Sequence, residues 1–442
     1  MPARPPRYLS CLASISSLVL LGLMGTGLGV ATDLPAAELK TQPVEEIHFA
    51  KTDWPWWRGP HGNGIADPDQ HPPLEWSENK NVVWKANVPG RGHSSPTVVG
   101  KWVFLTTADE QRETQSVICY DRSSGEVRWT TEVHQGKMDR KGNKKTTQAS
   151  SSVACDGQRL FVNFLNDGAV RTSALDLDGR VLWTTKVSDF VTHQGFGSSP
   201  ALYRGLVIVS ADNRGGGAVA ALDRRDGAVV WSNPRPAKDN YTSPVVLSIG
   251  GKDELLLSGC DVVSAYDPLS GTRLWETEAS TTECVTTMVT DGQRVFVGGG
   301  YPRNHTEAIV ADGSAKIAWQ NNTRVYVPSM LVDKGYLFAS TDAGAAVCWK
   351  SDSGEEQWKA RLGGTFDASL VKVGEHLFAT NEAGKTFVFK ADPAKFELVA
   401  ENQLGDEAFA TPTICGGRIY HRVVGQANGA RQEMLYCLGT AE

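Results

Sequence analysis

Tyr120-Asp121-Arg122-Ser123-Ser124-Gly125-Glu126-Val127-Arg128-Trp129 is the stretch whose reading decides the fold. Its Asp can accept hydrogen bonds from backbone N–H groups just downstream, which starts a turn. Its Gly, four residues before the Trp, supplies the positive φ of a tight hairpin. The Trp then falls on an outer strand, where it can fill the gap to a neighbouring unit. The phrase returns at Leu175-Asp176…Gly179-Arg180-Val181-Leu182-Trp183, at Leu222-Asp223…Gly227…Trp231 and at Tyr266-Asp267…Gly271…Trp275. A degenerate copy ends at Trp319, and a later one runs Gly354…Trp358. Trp84, in Val82-Val83-Trp84-Lys85, has the strand without the turn. From Trp84 to Trp358 the spacings are 45, 54, 48, 44, 44 and 39 residues, the repeat length of a propeller blade.

Two more strands precede each phrase. The first opens on small residues: Ser94-Ser95-Pro96, Ser150-Ser151-Ser152, Ser198-Ser199-Pro200 and Thr242-Ser243-Pro244. A Gly turn and an apolar strand follow, as in Asp156-Gly157-Gln158-Arg159-Leu160-Phe161-Val162. Each unit therefore holds four antiparallel strands. Seven units open near Ser94, Ser150, Ser198, Ser243, Val285, Pro328 and Ala368; in the seventh, Ala400 stands where the Trp belongs. An eighth begins at Thr411 and lacks an outer strand, and the missing piece is Val82 to Val88 near the N-terminus. The expected fold is all-β: an eight-bladed β-propeller of four-stranded antiparallel blades, closed by that N-terminal outer strand joining the C-terminal blade. This junction closes the ring and covers the edge that a three-stranded last blade would expose.

The 442 residues carry 45 Gly and 13 Trp, which suits many tight turns and a recurring large packing residue. A formal net charge of −6 and no broad basic surface exclude nucleic acid as the expected partner. Arg4 and Arg7, the apolar run from Leu12 to Val30 and the small-x-small Gly29-Val30-Ala31 read as an export signal over 1–31. An uncleaved anchor is the alternative. Residues 32–53 read as a linker and 54–442 as the propeller, opening on Trp54-Pro55-Trp56-Trp57-Arg58-Gly59-Pro60, whose three Trp are expected to pack on a face of the ring. The location expected is the periplasm, cell envelope or exterior, as a monomer. Seven Cys follow the signal at irregular spacing, which suits buried thiols rather than a disulfide framework. Cys260–Cys284 is the pair to test first for a bridge.

The Asp…Gly…Trp phrase with its small-residue opening strand resembles the pyrroloquinoline-quinone (PQQ) type propeller repeat, from about Trp54 to the C-terminus. That repeat occurs in quinoprotein dehydrogenases, in the envelope assembly lipoprotein BamB and in exported propellers of planctomycete-type bacteria; the Trp-Pro-x-Trp-Arg-Gly-Pro opening is most similar to the last. In the dehydrogenases the resemblance implies PQQ held by calcium, with a catalytic Asp and, in alcohol-oxidising members, a disulfide between adjacent cysteines. This sequence has no Cys-Cys pair. No cofactor is expected, with PQQ and calcium kept as the alternative.

Metalloprotease, nucleophile-elbow and phosphate-loop motifs are absent from the sequence. Site candidates therefore come from position. The starts of the innermost strands surround one channel mouth: His93, His193, Gln194, Tyr241, Glu283, Tyr326, Asp367 and Phe409. They are expected to bind a ligand; no catalytic residue and no metal is assigned. The longest spacing holds a basic insertion, Lys137, Arg140, Lys141, Lys144 and Lys145, expected near that mouth. The function expected is a ligand- or protein-binding scaffold of BamB type. The alternatives are a quinone-dependent oxidoreductase and a metal-dependent enzyme using His93, His193, Glu283 and Asp367.

Overall fold

The computed structural model describes residues 47–139 and 141–440. The expected export signal, most of the expected linker and Arg140 lie outside the described residues. Blade 1 consists of Thr97–Val99, Trp102–Asp109, Thr114–Asp121 and Val127–Gln135, counted from the channel outward. Its third strand is buried on both faces, whereas the fourth alternates with solvent. Blades 2 to 7 repeat the plan, with innermost strands at Ala154–Cys155, Ala201–Tyr203, Val245–Ile249, Val289–Thr290, Leu331–Asp333 and Val371–Val373. Blade 8 takes Thr413–Cys415, Arg418–Ala427 and Ala430–Leu438 from the C-terminus. Its outer strand is Val82–Val88, antiparallel to Ala430–Leu438 with Trp84 opposite Cys437. The ring closes as the sequence requires.

The repeated phrase joins blade to blade. Each Trp lies over the turn of the next blade, and its indole N–H donates to a turn carbonyl. Trp84 reaches Arg122 O at 3.0 Å, Trp129 reaches Leu177 O at 2.9 Å, and Trp183 reaches Arg224 O at 3.2 Å. Trp231, Trp319 and Trp358 do the same to Pro268, Ser351 and Asp392. The turn Asp acts as expected: Asp121 Oδ1 accepts from the N–H groups of Ser123 and Ser124. Two departures explain each other locally. Ala315 occupies the Gly position of blade 5, in a left-handed conformation at φ 51°, and Trp275 turns its N–H to Glu254 of its own blade. Ala400 replaces a Trp where blade 8 has no covalent turn to receive one, because that blade's outer strand comes from the other end of the chain.

The small residues that open each blade form a second seam around the channel. Ser95 N–H donates to Ser152 Oγ, Ser152 to Ser199, and Ser199 to Ser243, each at 2.9 Å. The series resumes from Thr287 to Ser329, Ser369 and Thr411. A short hydroxyl side chain fits here because it reaches the next backbone without filling the channel.

Residues 47–76 form a strap across one face. Trp54 exchanges backbone hydrogen bonds with Val98 of blade 1, Pro55 O accepts from Cys155 of blade 2, and Lys372 of blade 7 accepts from Ala66 N–H and donates to Gly64 O. Arg58 is buried, with Nη1 donating to Leu370 O at 2.7 Å and Nη2 to Met330 O at 2.6 Å. The three Trp pack on this face, as the sequence leads one to expect. The seven described cysteines are all free and buried, Cys260 and Cys284 included. Cys260 Sγ faces Asp212 and Lys238, and Cys284 Sγ faces Ser280, so the bridge to be tested is not formed.

Candidate functional site: a blind cup in the channel

The strap closes the channel at one end. Trp57 lies at the floor, and its Nε1–H donates to Thr287 Oγ1 at 2.8 Å. This bond takes the Thr287 hydroxyl at the junction of blades 4 and 5. Above it the seam hydroxyls Ser95, Ser152, Ser199, Ser243, Ser369 and Thr411 line the neck of a cavity of about 380 Å³. The loops between blades form the open mouth.

Three side-chain groups ring that mouth. His93 stacks on Phe409, with ring centroids 4.5 Å apart and planes 23° apart. Burial, reinforced by the charges of Arg422 and Arg91, holds the His93 pKa well below the usual imidazole value, so the ring is neutral. Its Nε2 is buried without a hydrogen-bond partner.

The second group joins blades 3, 4 and 5. Tyr326 donates to Glu283 Oε2 at 3.0 Å. His193 Nε2 stands 3.6 Å from Glu283 Oε1 and 3.2 Å from Gln194 Nε2. Arg214 forks onto Asp239. Donor atoms of His193, Asp239 and Glu283 all lie within 4.8 Å of one another. The Tyr241 hydroxyl is buried; burial first, then the charges of Glu283 and Asp239, raise its pKa, against the opposing effect of a hydrogen bond from the Gln194 backbone.

The third group is acidic. Asp367 opens blade 7, and Glu382 comes from the turn between that blade's second and third strands. Burial, then the Glu382 charge, push the Asp367 carboxyl up to about 7. Burial also raises Asp342, which sits at the matching turn of blade 6. The single Lys here is Lys145 of the basic insertion, whose Nζ meets Glu382 Oε1 at 2.5 Å and stops 3.9 Å from Asp367 Oδ2. The insertion thus reaches the mouth, held by Arg91 through the carbonyls of Lys144 and Lys145.

Of the sequence candidates, His93, Gln194, Tyr241, Tyr326, Asp367 and Phe409 line the cavity, while His193 and Glu283 stand behind Tyr326. The four-residue metal constellation does not assemble. His193 and Glu283 meet, but His93 is turned to Phe409 and Asp367 to Glu382. Positional reasoning missed Asp239 and Glu382; Lys145 was expected near the mouth and Trp57 on a face of the ring, but neither with its partner. Glu382 had a signal: Thr341-Asp342-Ala343-Gly344 and Asn381-Glu382-Ala383-Gly384 repeat one acidic turn in successive blades.

A family profile described as outer membrane protein assembly factor BamB matches residues 74–136, 113–360 and 308–395. The chain belongs to the PQQ-like β-propeller family. No curated relative matches its sequence. Among solved structures this PQQ-like propeller is similar to BamB from Moraxella catarrhalis, at 14% identity over 80% of this chain and 96% of that one, TM-score 0.56. It is also similar to a europium-containing methanol dehydrogenase, at 11% identity over 88% and 98%, TM-score 0.64. The quinohemoprotein alcohol dehydrogenase from Comamonas testosteroni follows at 13% over 92% and 84%, TM-score 0.63. At these identities the shared property is the fold.

The residues of this cup do not fit the quinone that the dehydrogenase resemblance implies. PQQ is a tricarboxylate, and the blade 6–7 wall already holds Asp367 and Glu382 against the one Lys145, with Asp342 beside Arg324 at 3.7 Å. The Glu382 charge already raises the Asp367 carboxyl, so a further anion beside it is disfavoured. None of the described cysteines lines the cup.

Proposed function

We propose that the protein is an exported binding propeller that takes a small polar ligand, or a side chain of a protein partner, into the blind channel cup without turning it over. One observation carries this reading: Trp57 on Thr287 closes one end of the channel, and the remaining cavity of about 380 Å³ is lined by the seam hydroxyls together with Gln194, Tyr241, Tyr326 and Asp367. Hydroxyl, amide and carboxyl groups converging on one concave, partly aromatic cavity are the usual make-up of a small-ligand site. Membership of the BamB-type family supports a place in the cell envelope and a protein partner. The test is a thermal-shift screen of the purified protein against small polar compounds and envelope protein fragments, with hydrogen exchange to map protection. Protection at Tyr241, Tyr326 and Phe409 is the expected result. Binding confined to other surfaces would sink the cup as the site.

A second reading has its own observation. One imidazole and two carboxylates converge at His193, Asp239 and Glu283, a donor set suited to a divalent first-row cation. A metal-dependent activity at the mouth would follow from occupancy of that set. Metal analysis after growth in zinc- and manganese-rich medium tests it; metal-free protein removes the reading.

A further inference from the structure

We propose that the Asp367–Glu382 wall of the cup is an ammonium site, and that Lys145 is a built-in stand-in for the ligand's cation. The proposal rests on the cup being a binding site and names the chemical class it takes: a primary amine on a short apolar stem.

Three observations converge. Asp367 faces the cavity, yet its nearest cation stops 3.9 Å away, beyond hydrogen-bond reach. Asp367 and Glu382 are hydrogen-bonded to each other, a dyad that can share a proton, and they have one ammonium between them, which is bonded to Glu382 alone. A ligand ammonium that takes the place of Lys145 displaces only this half-exposed lysine and no buried cation. Phe409, Phe196, Tyr326 and Tyr241 line the same cavity, giving the stem apolar surface and the cation aromatic faces. Lys145 comes from the insertion between blades 1 and 2 and crosses to blade 7, 237 residues away in sequence. Its side chain is 54% exposed. An exposed ion pair of this kind is weak, so the loop can release the wall to a better cation.

Two sources carry such an ammonium: a free amine and a lysine side chain presented by a polypeptide. Their probes are 1,5-diaminopentane and Nα-acetyl-lysine methylamide, with 1-pentanol as the uncharged control. Calorimetry follows binding to the full-length protein. Either amine is expected to bind, and the alcohol is not. D367N should abolish binding and E382Q weaken it, with unchanged circular dichroism. K145M should tighten it by about tenfold, the gain expected if the latch is closed nine-tenths of the time. A response to the lysine probe alone assigns the site to a protein partner, and a response to both leaves it open to free amines. The proposal is overturned if neither amine binds, if D367N binds as well as the parent, or if K145M is no tighter. In those cases a neutral ligand protecting Tyr241 and Phe409 would still uphold the cup as a binding site, and only the ligand class would fall.

Discussion

Trp183 of blade 2 lies directly over Gly227 of blade 3: a Cβ built on Gly227 would meet Trp183 Cε3 at 2.5 Å. Gly227 also holds φ 75°. Two demands therefore fall on one residue, a left-handed backbone and a seat for the neighbour's indole. Gly125 under Trp84, Gly179 under Trp129, Gly271 under Trp231 and Gly354 under Trp319 repeat the arrangement. This is why the turn and the Trp recur together.

Gly227→Ala is expected to lose about 2 kcal/mol or more, since the left-handed conformation alone costs about 1–2 kcal/mol for a residue with a Cβ and the indole must also move. Ala315→Gly should be neutral or slightly stabilising, because Trp275 has already turned away from that position. Urea denaturation of both variants checks the pair. Equal effects at the two positions would refute the seating argument.

The strap's hold on the channel floor can be isolated by a double-mutant cycle. W57F and T287V should each cost about 1 kcal/mol, the net worth of one hydrogen bond. The double variant should cost little more than either one. W57A should cost about 3 kcal/mol through lost packing and open the channel from face to face. Additive single effects would mean that the 2.8 Å bond contributes nothing.

Arg58 acts through its fork. R58M strips the donors from two buried carbonyls, Leu370 O and Met330 O, and should cost about 3 kcal/mol. R58K should recover only part of that, because an ammonium cannot reach both oxygens as a guanidinium does. Denaturation midpoints of the three proteins give the ranking. Full rescue by Lys would argue that the charge, not the geometry, matters.

Asp367 should make stability depend on pH. Burial and Glu382 push its folded pKa up to about 7, against the partial opposition of Lys145; Asp342 adds to the rise. The unfolded value is about 4. Between those values the folded state holds a proton that the unfolded state has lost, so stability falls as pH rises. The stabilisation is fully present below about pH 4 and is gone above about pH 7. Asp367→Asn should therefore melt higher than the parent at pH 8 and lose that advantage near pH 4. Parallel melting curves across the range would show that the dyad does not share a proton.

How far the molecule was legible depended on the range of each interaction. The blade count, the Val82–Val88 closure and the Asp…Gly…Trp turn come from short-range chemistry repeated at a fixed period, so the chain spells them out. Position within the repeat was also enough to place His93, Gln194, Tyr241, Tyr326, Asp367 and Phe409 at the channel. It could not say which of them meet. His93 belongs with Phe409, across the seam between the first and last blades. Glu283 gathers Tyr326 and His193 from different loops.

The sequence by itself determined a closed ring of eight blades, because hairpin turns, strand alternation and an orphaned outer strand are local or pairwise demands. Only the tertiary structure decided that the channel is a cup and where its charge lies. The floor depends on Trp57 arriving at Thr287, 230 residues away, and the acidic wall on Lys145 crossing the mouth to Glu382. Neither pairing leaves a mark in the repeat, since each is made once, by a segment outside the repeated phrase.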